Sequence, residues 1–225
     1  MANSASLRAL PGLLPAAAAV LLLAARVANL ERRLHQADRC DLTGALRRNV
    51  FTVRAEQFLD RYGDNALIAM VDVDAFKQIN DTAGHAAGDQ VLAQTAARLS
   101  QWAGSRGIVG RLGGDEFVVA TYAGRNRRVA RLQQLQRLLC MPVPHGVHHS
   151  IDVSVSIGSA TSDTIKNATY SRLLRAADVA LYRGKHSGAP MVAVASDAEV
   201  PSVNGRRLGR PGTALLTAAA GGDAR

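Results

Sequence analysis

The sequence predicts an α+β domain, a sheet laid down in the order β-α-β-β-α-β with helices packed against it. Three observations carry this. Ser150 to Ala160 alternates strictly: Ile151, Val153, Val155 and Ile157 stand against Asp152, Ser154 and Ser156, the pattern of a half-buried strand. Two segments, Ala86 to Trp102 and Arg125 to Cys140, space their apolar residues as amphipathic helices do. Between them, the β-prone runs Gly107–Leu112 and Phe117–Tyr122 flank Gly113 and Gly114, which reads as a hairpin.

The elements follow in order. Leu42 to Tyr62 reads as a helix, with Thr43 as a start signal and Gly63 as a stop. The apolar strand Ala66–Val71 comes next and ends on Asp72 and Asp74. The helix from Ala86 turns Val91, Leu92, Ala96 and Leu99 to one side, and the helix from Arg125 does so with Val129, Leu132, Leu135, Leu138 and Leu139. After the alternating strand, Tyr170 to His186 is a further amphipathic helix and Met191 to Ala195 a short last strand. This order contains a ferredoxin-like core with its helices on one face. From 196 to 225 Gly, Pro, Ala and Arg dominate, and the expectation is a disordered tail.

A chain of 225 residues fits one domain, expected over residues 40–195, plus appendages. Residues 9–25 are apolar and uncharged, at the short limit of a membrane span, and Arg26, Arg32, Arg33 and Arg39 follow them. That expectation is an anchor within residues 1–39, holding the domain at the inner face of the membrane; a cleaved signal peptide is the rival. Val27, Leu30 and Leu34 then suggest a short helical stalk. The net charge of +9 is spread out, and residues 40–195 hold eighteen Lys or Arg against thirteen acids. That mild excess suits an anionic small molecule, and the scarcity of aromatics argues against a nucleic-acid platform. Cys40 and Cys140 form no metal-spaced cluster.

The chemistry gathers at two turns. Asp72 and Asp74 end one apolar strand, and Asp115 and Glu116 sit at the tip of the hairpin behind two glycines. Clustered carboxylates repel and raise one another's pKa unless a cation intervenes. Mg2+ fits, because it takes a few carboxylates and completes its shell with phosphate oxygens. After the first turn, Lys77 and the amides leading into a helix offer a phosphate nest. Asn80, His85 and Asp89 offer hydrogen-bonding groups of the kind that read a guanine edge.

Together these residues resemble the GGDEF family of diguanylate cyclases. The resemblance rests on Leu42-Thr-Gly44, Asp72-Val-Asp-Ala-Phe-Lys77, Asn80-Asp81, Gly84-His85, Gly88-Asp89, Arg111-Leu-Gly-Gly-Asp-Glu-Phe117, Val155-Ser-Ile-Gly158, and Ala177-Asp-Val-Ala-Leu-Tyr182 with Lys185. It implies a nucleotidyl-cyclase-like, antiparallel-rich sheet flanked by helices. It implies condensation of two GTP into cyclic di-GMP with release of two pyrophosphates, in a homodimer that brings two nucleotides face to face. By position it implies that Asp72, the Val73 carbonyl and Asp115 hold Mg2+, or Mn2+ in its place. Asp115 would take the ribose hydroxyl proton, and Glu116 would share the metal. Asn80 and Asp89 would read guanine, His85 would add a substrate contact, and Lys77 and Lys185 would meet phosphate.

The chain departs from that pattern in several places. Gly188 is kept after Lys185, but Ala189 stands where an arginine is usual. The ends of the family's product-inhibition motif fall on Gly104 and Gly107, and Arg106 does not restore the pair. Cys40 stands where an aspartate is usual, Ala45 where a leucine is, and Arg47-Arg48-Asn49 replaces the usual order. The alternative expectation is therefore a GTP-binding regulatory module with weak or no turnover.

Overall fold

The structure, a computed structural model, describes residues 22–30, 37–146 and 149–200. The chain divides into two units, Met1–Arg39 and Cys40–Arg225. In the first, residues 22–30 are helical, with Leu22, Leu23, Val27 and Leu30 exposed. Among the described residues no helix is long and apolar enough to cross a membrane. Residues 9–21 of the expected anchor, 31–36 of the expected stalk and 201–225 of the expected tail lie outside the described residues.

The second unit is built on one six-stranded mixed sheet. Its elements are β1 (Leu46–Arg47), α1 (Arg48–Tyr62), β2 (Ala66–Val73), α2 (Phe76–Ala83), α3 (His85–Ala103), β3 (Ile108–Gly113), β4 (Glu116–Tyr122), α4 (Arg128–Leu139), β5 (Val143–His145), β6 (His149–Ile151), β7 (Val155–Thr161), α5 (Tyr170–Ser187) and β8 (Met191–Val192). The spatial order is β1-β3-β4-β2-β7-β8, with β5 and β6 forming a separate hairpin. Strand β2 lies inside, antiparallel to β4 on one side and to β7 on the other. All eight of its residues are buried. Leu67, Ala69 and Val71 face one core with Leu92, Leu99, Leu132 and Leu135, from α3 and α4. Ala66, Ile68 and Met70 face the other with Phe51, Ala55, Leu173 and Ala177, from α1 and α5. The helices therefore cover both faces of the sheet, not one as the strand order suggested.

Other differences have local causes. Helix α1 begins at Arg48, not near Leu42, because Leu46 and Arg47 pair parallel with Gly110 and Arg111 at the sheet edge. The alternating run is two strands: Ile151 belongs to the β5–β6 hairpin, and β7 is buried on both faces. Val129 is exposed, and Arg128 takes the inward place on α4. Packed chain continues past 195. Ala195–Ala198 forms a 3-10 turn with Asp197 and Ala198 buried, so the tail expected from 196 does not begin there.

Arg128 is buried because every direction of its guanidinium meets oxygen. It pairs with both oxygens of Asp163 at 2.7 and 2.8 Å and donates to the Asp64 carbonyl at 2.7 Å. Burial pushes the Asp163 carboxyl up, but hydrogen bonds from Arg128 and Thr161 and the charges of Arg128 and Arg125 outweigh it. Its pKa lies below the ordinary carboxylate value. Replacing Asp163 with alanine leaves a buried cation unpaired and is expected to cost about 3–5 kcal/mol in urea unfolding. The stability this pair contributes is present above the unfolded-state pKa of about 3.9 and is lost as pH falls through the lower folded value. The gap between wild type and variant should therefore close on the acid side of pH about 4.

Candidate active site

The sheet register brings the two acid-bearing turns together. Strand β2 ends where β4 begins, so Asp72 lies opposite Glu116 on one side and Ser156 on the other. The Val73 amide donates to the Asp115 carbonyl at 3.3 Å, which joins the end of β2 to the hairpin tip. Asp74 is steered by Ser156, whose hydroxyl donates to its carboxylate at 2.7 Å. Ser156 is thus a polar residue on a fully buried strand because it serves this carboxylate.

The hairpin tip is shaped by its glycines and held by two arginines. A register shift between Arg111 and Gly113 sets Gly113 opposite Glu116. Gly114 at φ 51 then takes the first corner position, where a tight hairpin needs a positive φ. Arg111 donates to the Gly114 carbonyl at 2.9 and 2.7 Å, and Arg48 to the Leu112 carbonyl at 3.0 and 2.6 Å. Neither arginine received a role from sequence, because a lone arginine carries no spacing signal. Arg111 also donates to the Cys40 sulfur at 3.4 Å. Burial pushes the Cys40 thiol up, but hydrogen bonds from Thr43, Arg111 and the Leu42 amide bring it down to about 7. Cysteine therefore still supplies Arg111 with an acceptor.

Asp72 is buried with a side-chain oxygen 2.9 Å from the Lys185 ammonium. Burial pushes its pKa up, Lys185 pulls it down, and the charges of Asp115 and Asp74 push it up again, leaving it above the usual value. Burial is the largest cause, and the neighbouring carboxylates add to it. Lys185 reaches the cluster from the last turn of α5. That helix lies close on β7: a Cβ on Gly158 would stand 2.1 Å from the Ala177 carbonyl oxygen and the Leu181 amide.

The donor set suits a hard divalent cation. Two carboxylates and a main-chain carbonyl are all oxygen, and a cation that keeps outside ligands needs few from protein. Among the described residues no three His, Cys, Asp or Glu form a full metal cage.

A second platform lies on α2 and α3. Ala75 precedes α2 in the left-handed region at φ 52, and no side chain caps the helix's first amides. Strain at a non-glycine residue and open helix-start N–H groups mark a place for an anion. Lys77 is exposed on this helix, and His85 and Asp89 are exposed one turn apart on α3. Asn80 leans over Gly88 so closely that a Cβ there would stand 2.0 Å from Asn80 Oδ1. The structure thus joins Asp72, Val73, Asp115, Glu116 and Lys185 at the sheet end, and Lys77, Asn80, His85 and Asp89 on the α2–α3 platform.

Residues 37–190 match the family model described as diguanylate cyclase, GGDEF domain. The chain is 40% identical over 156 residues to an uncharacterized 19.3 kDa protein from the repSA 5′ region of Streptomyces ambofaciens, covering 69% of this chain and 82% of that protein. It is 38% identical over 126 residues to diguanylate cyclase DgcN of Escherichia coli, covering 54% of this chain but only 30% of DgcN. Among solved structures, a sensory box/GGDEF family protein of Caulobacter crescentus aligns with a TM-score of 0.61 at 35% identity, covering 67% of this chain and 99% of that one. The chain belongs to the GGDEF-domain family of diguanylate cyclases.

Proposed function

We propose that this chain condenses two GTP molecules into cyclic di-GMP and two pyrophosphates. The observation that carries this reading is the meeting of Asp72, Asp115 and Lys185 at one end of the sheet, with the charge of Asp115 felt at Asp72. Asn80 and Asp89 would read the guanine, with His85 beside them. Lys77 and the open amides of α2 would take the outer phosphates, and Lys185 the charge near the reacting one. Asp72, the Val73 carbonyl and Asp115 would hold Mg2+, for which Mn2+ can substitute, with Glu116 at the margin. Bound there, the cation would offset charge on the phosphates as pyrophosphate leaves. Asp115 would accept the proton of a ribose 3′-hydroxyl as its oxygen attacks the α-phosphorus of the second GTP. The P–O bond to pyrophosphate breaks, and the reciprocal event closes the ring.

Each domain offers one such site, so two copies must face each other about a two-fold axis. Specific activity should therefore rise with protein concentration until the dimer saturates, and then level off. Activity independent of concentration across the range where sedimentation reports monomer would contradict this requirement.

Gly88 separates binding from folding. Replacing it with alanine puts a methyl where Asn80 Oδ1 now lies and 3.2 Å from the Phe76 ring, so the flexible Asn80 side chain must move away and the ring must give by a few tenths of an ångström. The same change favours helix by about 1 kcal/mol. With the helix gain set against the tight contact at Phe76, Gly88→Ala should stay near wild-type stability, yet bind GTP at least about tenfold more weakly, the worth of about 1.4 kcal/mol in hydrogen bonding. Calorimetry and thermal melting on the same sample check both halves.

A further inference from the structure

The family match ends at residue 190, but the packed chain does not. After β8, the Ala193 amide donates to the Ser159 carbonyl at 2.7 Å, and the chain turns back over α5 as a short strap. Asp197, on that strap, is almost wholly buried. Both its oxygens are taken by Arg183 of α5, each at 2.7 Å, and one also accepts from the Val194 amide at 2.8 Å. A second tie joins Glu199 to Arg172, near the start of the same helix. A buried carboxylate with three charge-assisted or amide donors is a fixed point, not a solvated surface pair.

The arginine that Asp197 grips, Arg183, lies two residues before Lys185 on α5. Residues two apart on a helix point about 200° apart, so the strap grips one side of the last turn while Lys185 leaves from the other. Gly184, the residue between them, has no side chain and lies against the Ile157 and Ala189 carbonyls, where a Cβ would stand 3.2 Å from each. A glycine inside a helix also weakens it by about 1 kcal/mol relative to alanine. Beyond the strap, Gln136 ties the end of the helix by donating to the Gly188 carbonyl at 2.9 Å.

We infer that Asp197 is a positioning residue: through Arg183 it holds the last turn of α5 so that Lys185 stays against Asp72, poised for nucleotide phosphate. The inference rests on the nucleotide reading given above and adds to it a segment outside the family match.

The test uses the full chain and 3′-deoxy-GTP, which keeps the base and triphosphate but lacks the attacking hydroxyl. Its affinity is measured with Mg2+ by calorimetry for wild type, Asp197→Asn, Lys185→Ala and the double variant, alongside melting curves. The expected result is about tenfold weaker binding for Asp197→Asn, the scale of one lost charge-assisted contact. The double variant should bind no more weakly than Lys185→Ala alone, because the strap acts only through that lysine. Asp197→Asn binding equal to wild type, or losses that multiply in the double variant, would overturn the inference while leaving the nucleotide reading intact. Wild type that fails to bind the analogue overturns the nucleotide reading and this inference with it. If Asp197→Asn is unfolded at the assay temperature, Arg183→Gln, whose side chain is partly exposed, is put through the same cycle and judged by the same outcomes.

Discussion

Replacing Asp115 with alanine is expected to reduce cyclic di-GMP formation by at least about 10³-fold, equivalent to about 4 kcal/mol of barrier, while the protein stays folded. The fold survives because the hairpin tip is held by backbone contacts. Arg111 holds the Gly114 carbonyl, Arg48 the Leu112 carbonyl, and the Val73 amide the Asp115 carbonyl, and none of these uses the Asp115 side chain. Under the proposed function the chemistry does not survive, because one carboxylate would both share a cation with Asp72 and receive a proton. Melting and product assays on the same preparation separate the two effects. Turnover within tenfold of wild type would remove Asp115 from the reaction.

The second large effect is structural and reaches the site from behind. Gly158→Val should cost about 3 kcal/mol or more, the upper range for overpacking a core. In a domain of this size that is a fall in Tm of about 10 °C. The reason is that the atoms in the way are backbone: the Ala177 carbonyl oxygen and the Leu181 amide at 2.1 Å, and the Leu181 Cα at 2.6 Å. No rotamer change can make room, so α5 must lift from β7. Lys185 rides on that helix, and its 2.9 Å contact with Asp72 should be lost as well. Residual folded protein is therefore expected to be impaired in turnover, and thermal melting with an assay below the transition checks both. A variant with wild-type Tm would mean that the helix does not lie against β7 as described.

The core was legible where periodicity speaks. Leu132, Leu135 and Leu139 on α4 and the apolar run of β2 were recognisable from spacing alone. The errors arose where one residue answered two demands. Ser154 and Ser156 looked like the wet side of a strand, yet Ser156 is buried because it hydrogen-bonds Asp74. Val129 fitted the helical stripe, but Arg128 turned inward to meet Asp163 and displaced it. The strap was unreadable for the same reason: Ser196, Asp197 and Glu199 look like the start of a polar tail, and the ion-pair partners of Asp197 and Glu199, Arg183 and Arg172, lie back on α5. For the site, the acids and their order along the chain were visible. Their meeting was expected from the acid-tipped turns and from the family resemblance, but spacing alone could not supply the antiparallel register that sets Asp72 opposite Glu116. Nor could spacing reveal that Gly88 leaves space for Asn80.

The most direct test of this account is to incubate the purified full chain, at concentrations where it dimerises, with GTP and Mg2+ and to identify every product by mass. The account predicts cyclic di-GMP and pyrophosphate in a one-to-two ratio, with no product when the metal is chelated. GTP left intact by a folded, dimeric protein, or hydrolysed to products other than these, would contradict it.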